Sequence, residues 1–360
     1  MIRNIQLLFI VSFFLILTGT NVHVLHAETS TINGIVNSLL GNNDKAPPDI
    51  EIEIPSNGQT VYADKIYIAG QVFDNDSVDT LKINKVPLTN GRGRRVSFSY
   101  LVQLSEGKNA ITIEALDEAG NTARKEIIVV RENPPLSRLP KEVVDRRMRL
   151  AVYPFEHKGS ISDESGIFLD LLTLALQHQE RFQLIDRTLM DRILKEQKLS
   201  LTQLIDQDTA VKAGRIMSAQ AIVTGSIMKT GGGIELIGRM IDTETSEIVA
   251  TEKIYSDKDD AEGMNFLAQA LAAQLHNDFP MIQGVVIQRK GTEIFTDIGL
   301  NKAHQRGRLI IYREKNSASA KDGAILGYAR ITQVLKDMSK AELTTGKPED
   351  IKILDRVIVQ

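Results

Sequence analysis

FQLIDRTLMDRILKEQKLS, Phe182 to Ser200, decides how the chain is read. FQLID has the pattern of a short strand ending on a charged pair, Asp186-Arg187. A helical run follows at once, with Leu189, Ile193 and Leu194 spaced to share one face. Upstream lies RLAVYPF, Arg149 to Phe155, a compact apolar run that leads into a longer helix. Downstream come AQAIVTGSI (Ala219 to Ile227), IELIGRMID (Ile234 to Asp242) and EIVATEKIY (Glu247 to Tyr255). A helix over Asp259 to Phe279 closes the stretch, with Met264, Leu267, Leu271 and Leu275 as its apolar stripe. Strands alternate with helices, which predicts an α/β domain over residues 148–280.

In order, LAVYPFE, RFQLIDR with ILKEQKL, AIVTGSI and RMIDTETSEIV resemble the curli production assembly/transport family (CsgG-like). That family includes an outer-membrane secretion channel and periplasmic relatives with no pore. The resemblance therefore implies an envelope protein. One position departs from the family pattern, which usually carries glycine in the last turn where this chain has Ser246. Glycine reaches positive φ at little cost, so serine here predicts a different turn type.

Composition sets wider bounds. The 360 residues are enough for two or three domains, and 42% hydrophobic with 25% charged residues is ordinary for a globular chain. A net charge of -3 argues against nucleic acid as a partner. There is no cysteine, which removes disulfides, thiolate chemistry, Cys-based metal sites and a lipidated N-terminal cysteine. Residues 1–27 have the pattern of a cleavable secretory signal, with Arg3, an apolar run from Leu7 to Leu17, and Ala27 at the cut. The run is shorter than the roughly 20 residues of a membrane-spanning helix, so the expectation is a periplasmic or secreted protein with no membrane-spanning segment in the mature chain.

Residues 28–46 form a polar tether. Ile32, Ile35, Val36, Leu39 and Leu40 make one helical stripe in it, and Gly41 is placed to stop the helix. From 47 to 132 the texture changes to alternation, as in Ile50-Ile52-Ile54, Ile66-Ile68 and Val96-Phe98-Tyr100-Val102. Turn signals PSNG, DND, TNGRG, EGKN and DEAGN separate the strands, which predicts an all-β sandwich. The segments PSNGQTVYADKIYIAGQVFD, LKINKVPL and LSEGKNAITIEALDEAGNTARKEIIVV resemble bacterial immunoglobulin-like domains of the glucodextranase type. Such a module is usually a spacer or adhesive unit and rarely catalytic.

Residues 133–147 form a basic linker stiffened by Pro134, Pro135 and Pro140. Residues 281–360 return to short strands, as in GVVIQRKGTEIFTDIG and GRLIIYRE, and predict a small β-barrel. With Gly307 to Arg313 and Asp355-Arg356-Val357, this segment resembles the C-terminal domain of the flagellar assembly protein T family. The fold class is thus multidomain α+β: an immunoglobulin-like sandwich, an α/β CsgG-like domain and a small C-terminal barrel.

Chemistry is sparse. His157, His178, His276 and His304 remain after signal removal, none at metal-ligand spacing, and neither G-x-S-x-G nor a P-loop occurs. Gly231-Gly232-Gly233 joins two antiparallel strands and reads as a hairpin tip. Asp186, Arg187 and Glu196 are the most suggestive polar set: an anion clamp, or an ion pair fixing the strand-to-helix junction. Asp74, Asn75, Asp76 and Asp79 crowd one loop of the sandwich, and Asp117, Glu118 and Asn121 another. Their oxygens suit calcium, and the same residues are ordinary turn formers. The basic run Gly91 to Arg95 reads as a solvated hairpin tip or a contact for an anionic surface. No catalytic residue, cofactor or metal site is assigned. The expectation is a non-enzymatic envelope assembly or scaffold protein with protein partners or copies of itself. The alternative is a secreted adhesion or glycan-binding module, which the absence of tryptophan weakens.

Overall fold

Alternating apolar residues set the first third of the molecule. A computed structural model describes residues 44–88, 92–132, 139–158, 165–197, 204, 206–300, 307–314 and 323–360. The signal segment and the helical stripe of the tether lie outside these residues. The strands are β1 (Asp49–Ile54), β2 (Thr60–Val61), β3 (Lys65–Ile83), β4 (Val86–Pro87), β5 (Gly93–Gln103), β6 (Gly107–Asp117) and β7 (Thr122–Arg131). They form one ladder in the order β1-β3-β6-β7-β2, with β4 and β5 also paired to β3. The long β3 belongs to both halves of it. Its first part pairs with β1 and β5, and its second part with β6. Ile66, Ile68 and Phe98 from one half meet Leu81, Ile111, Ile113 and Val129 from the other in a single core.

The DND segment, expected as a turn, lies inside β3 as an irregularity between Phe73 and Val78. Extra residues in one strand of a pair bulge out and bend it, which lets one strand serve both halves. The basic run is tied down as well. Arg92 pairs with Asp79 at 2.8 Å, and the Arg95 guanidinium lies 4.9 Å over the Phe73 ring.

The described end of the connector, residues 139–147, is packed. Leu139 is buried, and the short helix α1 (Lys141–Val144) buries Val143 among Ile310, Tyr312 and Ile358 of the C-terminal barrel.

A mixed sheet follows, built from β8 (Arg149–Lys158), α2 (Ser165–His178), β9 (Gln183–Leu184), α3 (Arg187–Glu196), α4 (Gln207–Ile216), β10 (Ala221–Thr230), β11 (Gly233–Asp242), β12 (Ile248–Ser256) and α5 (Ala261–Asp278). Strand order is β12-β11-β10-β8-β9, with β8 parallel to β9 and β10 and the others antiparallel. Alternation along β8 sends Leu150 and Val152 to one side with α2 and α5, and Ala151 and Tyr153 to the other with α3 and α4. Met264, Leu267, Leu271 and Leu275 of α5 are buried as their spacing predicts, and Asp260 caps this helix by accepting the Glu262 and Gly263 N–H groups at 3.0 Å. On α3 the buried pair is Met190 and Leu194, one helical turn apart, with Ile193 beside them. The side chain of Leu189 lies outside the description.

The Ser246 expectation is corrected. Ser246 has φ 65°, so the turn is the left-handed one in which a glycine would serve. Polar partners hold it there: the Ser246 N–H donates to Asp242 O at 2.9 Å and the hydroxyl accepts from Arg215 Nη2 at 3.1 Å.

The last segment closes on itself. β13 (Gln283–Lys290), β14 (Glu293–Thr296), β15 (Arg308–Glu314), β16 (Gly323–Val334), β17 (Ser339–Gly346) and β18 (Arg356–Val359) form a barrel in the order β13-β14-β17-β16-β15-β18. Val286, Ile294, Leu309, Ile311, Ile331 and Val357 fill the interior. Among the described residues, no helix is long and apolar enough to cross a membrane.

Candidate functional site

The polar set Asp186, Arg187 and Glu196 sits on α3. Asp186 caps this helix: its Oδ1 accepts the Thr188 N–H at 2.7 Å and its carbonyl accepts the Met190 N–H at 3.1 Å. Glu196 ends the same helix and is exposed. A rise of 1.5 Å per residue puts about 15 Å between the two. The Arg187 side chain lies outside the described ones. The two described members of the set thus stand at opposite ends of one helix.

Sequence reasoning passed over a deeper polar group. Arg181, one residue before the FQLID strand, is 1% exposed. Its Nε donates to the Phe279 carbonyl, its guanidinium lies 4.9 Å over the Phe182 ring, and both terminal nitrogens are buried with no hydrogen-bond partner. Burial first, and Arg147 nearby second, push its pKa down to about 9. Close by, His276 Nδ1 lies 2.8 Å from Gln179 Oε1. An amide oxygen can only accept, so Nδ1 carries the proton. Burial first, and then the Arg181 charge, push His276 down to about 3, so it is neutral at physiological pH. No local pattern marks either residue, because the partners come from separate elements.

A second titratable pair joins β12 to α5. Burial first, and Asp278 second, raise Glu252 to about 7, and burial raises Asp278. Gln274 Nε2 donates to Glu252 at 3.2 Å. Two carboxylates held together out of water disfavour double ionisation.

The two Asp-rich loops do meet. Carboxylate oxygens of Asp44, Asp74 and Asp117 lie within 4.8 Å of one another, and Asp117 is 2% exposed. Among the described residues these three side chains are the ones that could hold a divalent cation. Asp117 Oδ1 accepts the Asn121 N–H at 2.7 Å, Asp74 Oδ1 the Asp76 N–H at 2.8 Å, and Asp44 Oδ1 the Asn75 amide at 3.0 Å. Loops of this kind make the same bonds with or without an ion. Asp79 and Glu118 go elsewhere, Asp79 to Arg92 and the Glu118 N–H to the Ser77 carbonyl.

With this geometry in place, comparison with known proteins settles two segments. Residues 147–238 match the family model described as Curli production assembly/transport component CsgG. Residues 48–133 match the model of Glucodextranase, domain B. The CsgG match begins just before β8 and runs into β11, and the domain B match covers β1 to β7. No curated protein matches the chain. Similar solved structures include the LpoB C-terminal domain from Salmonella enterica, at 20% identity over 30% of this chain and 82% of that one, TM-score 0.28. Lipoprotein GNA1162 from Neisseria meningitidis is 12% identical over 36% of this chain and 96% of its own, TM-score 0.28. TolB from Acinetobacter baumannii is 11% identical over 57% of this chain and 40% of its own, TM-score 0.27.

Proposed function

We propose that this chain is a non-enzymatic, envelope-associated assembly or scaffold protein. The match of residues 147–238 to a curli production assembly/transport family carries this reading. The polar groups support it. His276 is engaged by an amide and is neutral, and the exposed Asp186 is occupied as a helix cap. The signal-like residues 1–27 support a periplasmic or secreted location, and the C-terminal barrel's resemblance to flagellar assembly proteins supports a role in building or holding an appendage.

The mode of action is surface contact, not a channel. In the β11–β12 hairpin, Ile234, Leu236 and Met240 are buried against α5, while Glu235 and Lys253 form a 2.9 Å ion pair. A spanning hairpin turns one face to lipid, and either face of β12 carries a charge, Glu252 beside Ile254 or Lys253 beside Tyr255, where a mid-membrane Lys costs about 2–4 kcal/mol and a Glu somewhat less. Purified mature protein in planar bilayers should give no discrete conductance steps, and an alkaline or high-salt wash should release it from envelope fractions. Reproducible single-channel steps would overturn the reading.

A further inference from the structure

A cleft of about 580 Å³ opens where the mixed sheet meets the barrel. Arg146, Arg147 and Arg149 line it from the segment that leads from α1 into β8, and Arg308 and Arg330 from β15 and β16. Against these five arginines stand Asp145 and Glu244 in the walls and Asp242, which lies 3.6 Å from Arg308 Nη2, so two positive charges are left over in a chain whose net charge is -3.

The arginines divide into two groups. Arg308 Nη2 pairs with Glu244 at 3.0 Å and with Asp242 at 3.6 Å, and Arg330 pairs with Glu244 as well. On the other wall, Arg147 Nε donates to the Val144 carbonyl at 3.0 Å and its Nη1 to the Glu180 carbonyl. Arg149 Nη2 donates to the Met217 carbonyl at 3.3 Å. Arg146 is exposed; its backbone N–H donates to the Val143 carbonyl at 3.0 Å and its carbonyl accepts from the Gln360 amide. Carbonyl oxygens orient a guanidinium without cancelling its charge. The wall is therefore built and held but electrically unsatisfied, and a concave site of one sign concentrates the opposite ion.

We propose that this cleft binds a ligand carrying two or more phosphate groups. The planar fork of arginine matches an oxyanion edge with two parallel hydrogen bonds, which a lysine cluster would not do. The two surplus charges suit a multiply charged anion better than a single carboxylate, and the volume exceeds what one small ion fills. Soluble diphosphates and a lipid headgroup with two phosphodiesters, such as diphosphatidylglycerol, share this chemistry. The inference stands apart from the scaffold reading.

Isothermal titration of the mature chain with pyrophosphate at low salt is the test, with flotation on vesicles containing diphosphatidylglycerol as the second arm. Binding should appear in at least one arm and weaken as salt rises. Arg146→Gln should weaken it about tenfold, and Arg146→Gln with Arg149→Gln further. Arg124→Gln, which removes one exposed charge from the sandwich, should leave it unchanged. Pyrophosphate binding without flotation assigns a soluble ligand, and flotation in either case assigns the lipid surface. If the double variant does not melt cooperatively, Arg146→Gln decides, since that exposed side chain makes no hydrogen bond among the described residues. Absence of binding in both arms, or equal weakening by Arg124→Gln, would overturn the proposal.

Discussion

Glu252 shows how a single side chain ties this molecule to pH. Its pKa rises from 4.5 to about 7, because burial and then Asp278 oppose its ionisation. Between those values the folded chain keeps a proton that the unfolded chain has released. Its contribution to stability is therefore present below about pH 4.5 and is lost as pH rises through 7. His276 works in the opposite direction: its pKa is pushed down to about 3, so stability falls as pH drops from 6.5 toward 3. Glu252→Gln removes only the first effect. By calorimetry its melting temperature should exceed that of the parent at pH 8 and match it near pH 4.5; an equal difference at both would contradict the assignment. Neither residue was legible in the sequence, where Glu252 is one charge in an alternating strand and His276 one polar residue on a helix. Their burial comes from packing β12 against α5, and α5 against the segment around Gln179. Ser246 teaches the converse. A residue type was read as a change of turn, yet two local hydrogen bonds hold the left-handed conformation without glycine.

At the scale of elements, alternation and helical spacing were reliable guides where one face of an element is buried. The stripe of α5 follows them, as do Val96, Phe98 and Val102 of the sandwich, while Tyr67 is buried between Ile66 and Ile68 because its side chain packs on α5. They failed where the backbone departs from the ladder. The Asp-rich run continues β3 as a bulge, and FQLID supplies only the two-residue strand β9, since just Arg149 and Leu150 of β8 stand opposite it. Glycines that permit close approach were equally silent. Gly225 faces Gly238 across β10 and β11, and a Cβ at Gly225 would stand 2.0 Å from the Ile237 carbonyl and 2.7 Å from the Phe155 ring. Neither a backbone carbonyl nor a packed ring can yield cheaply. Gly225→Ala should lower stability by about 2 kcal/mol or more, read by urea denaturation. A loss under about 0.5 kcal/mol, the range of neutral surface changes, would show that the sheet can open there.

The whole molecule is held by seams that composition does not announce. Tyr67 of the sandwich packs edge-on against Phe266 of α5, with ring centroids 6.0 Å apart, and its hydroxyl accepts the Tyr255 N–H at 3.1 Å. Asn277 Oδ1 accepts the N–H groups of Tyr62 and Ala63 at 2.8 and 2.9 Å. Arg308 and Arg330 of the barrel meet Glu244 in the turn after β11. Asn277→Ala would leave two N–H groups unpaired at a seam and should cost about 2–3 kcal/mol by thermal denaturation. An unchanged melting temperature would mean that water replaces the amide and that the seam is loose. A chain whose parts are joined by such contacts suits the proposed protein that holds others in place, which is the central claim. Crosslinking of intact cells carrying a tagged full-length chain, followed by purification from the envelope fraction, tests it most directly. The predicted result is a reproducible set of crosslinked envelope proteins or copies of this chain. Recovery of the uncrosslinked monomer from the culture medium, bound to glycan or free, would contradict it.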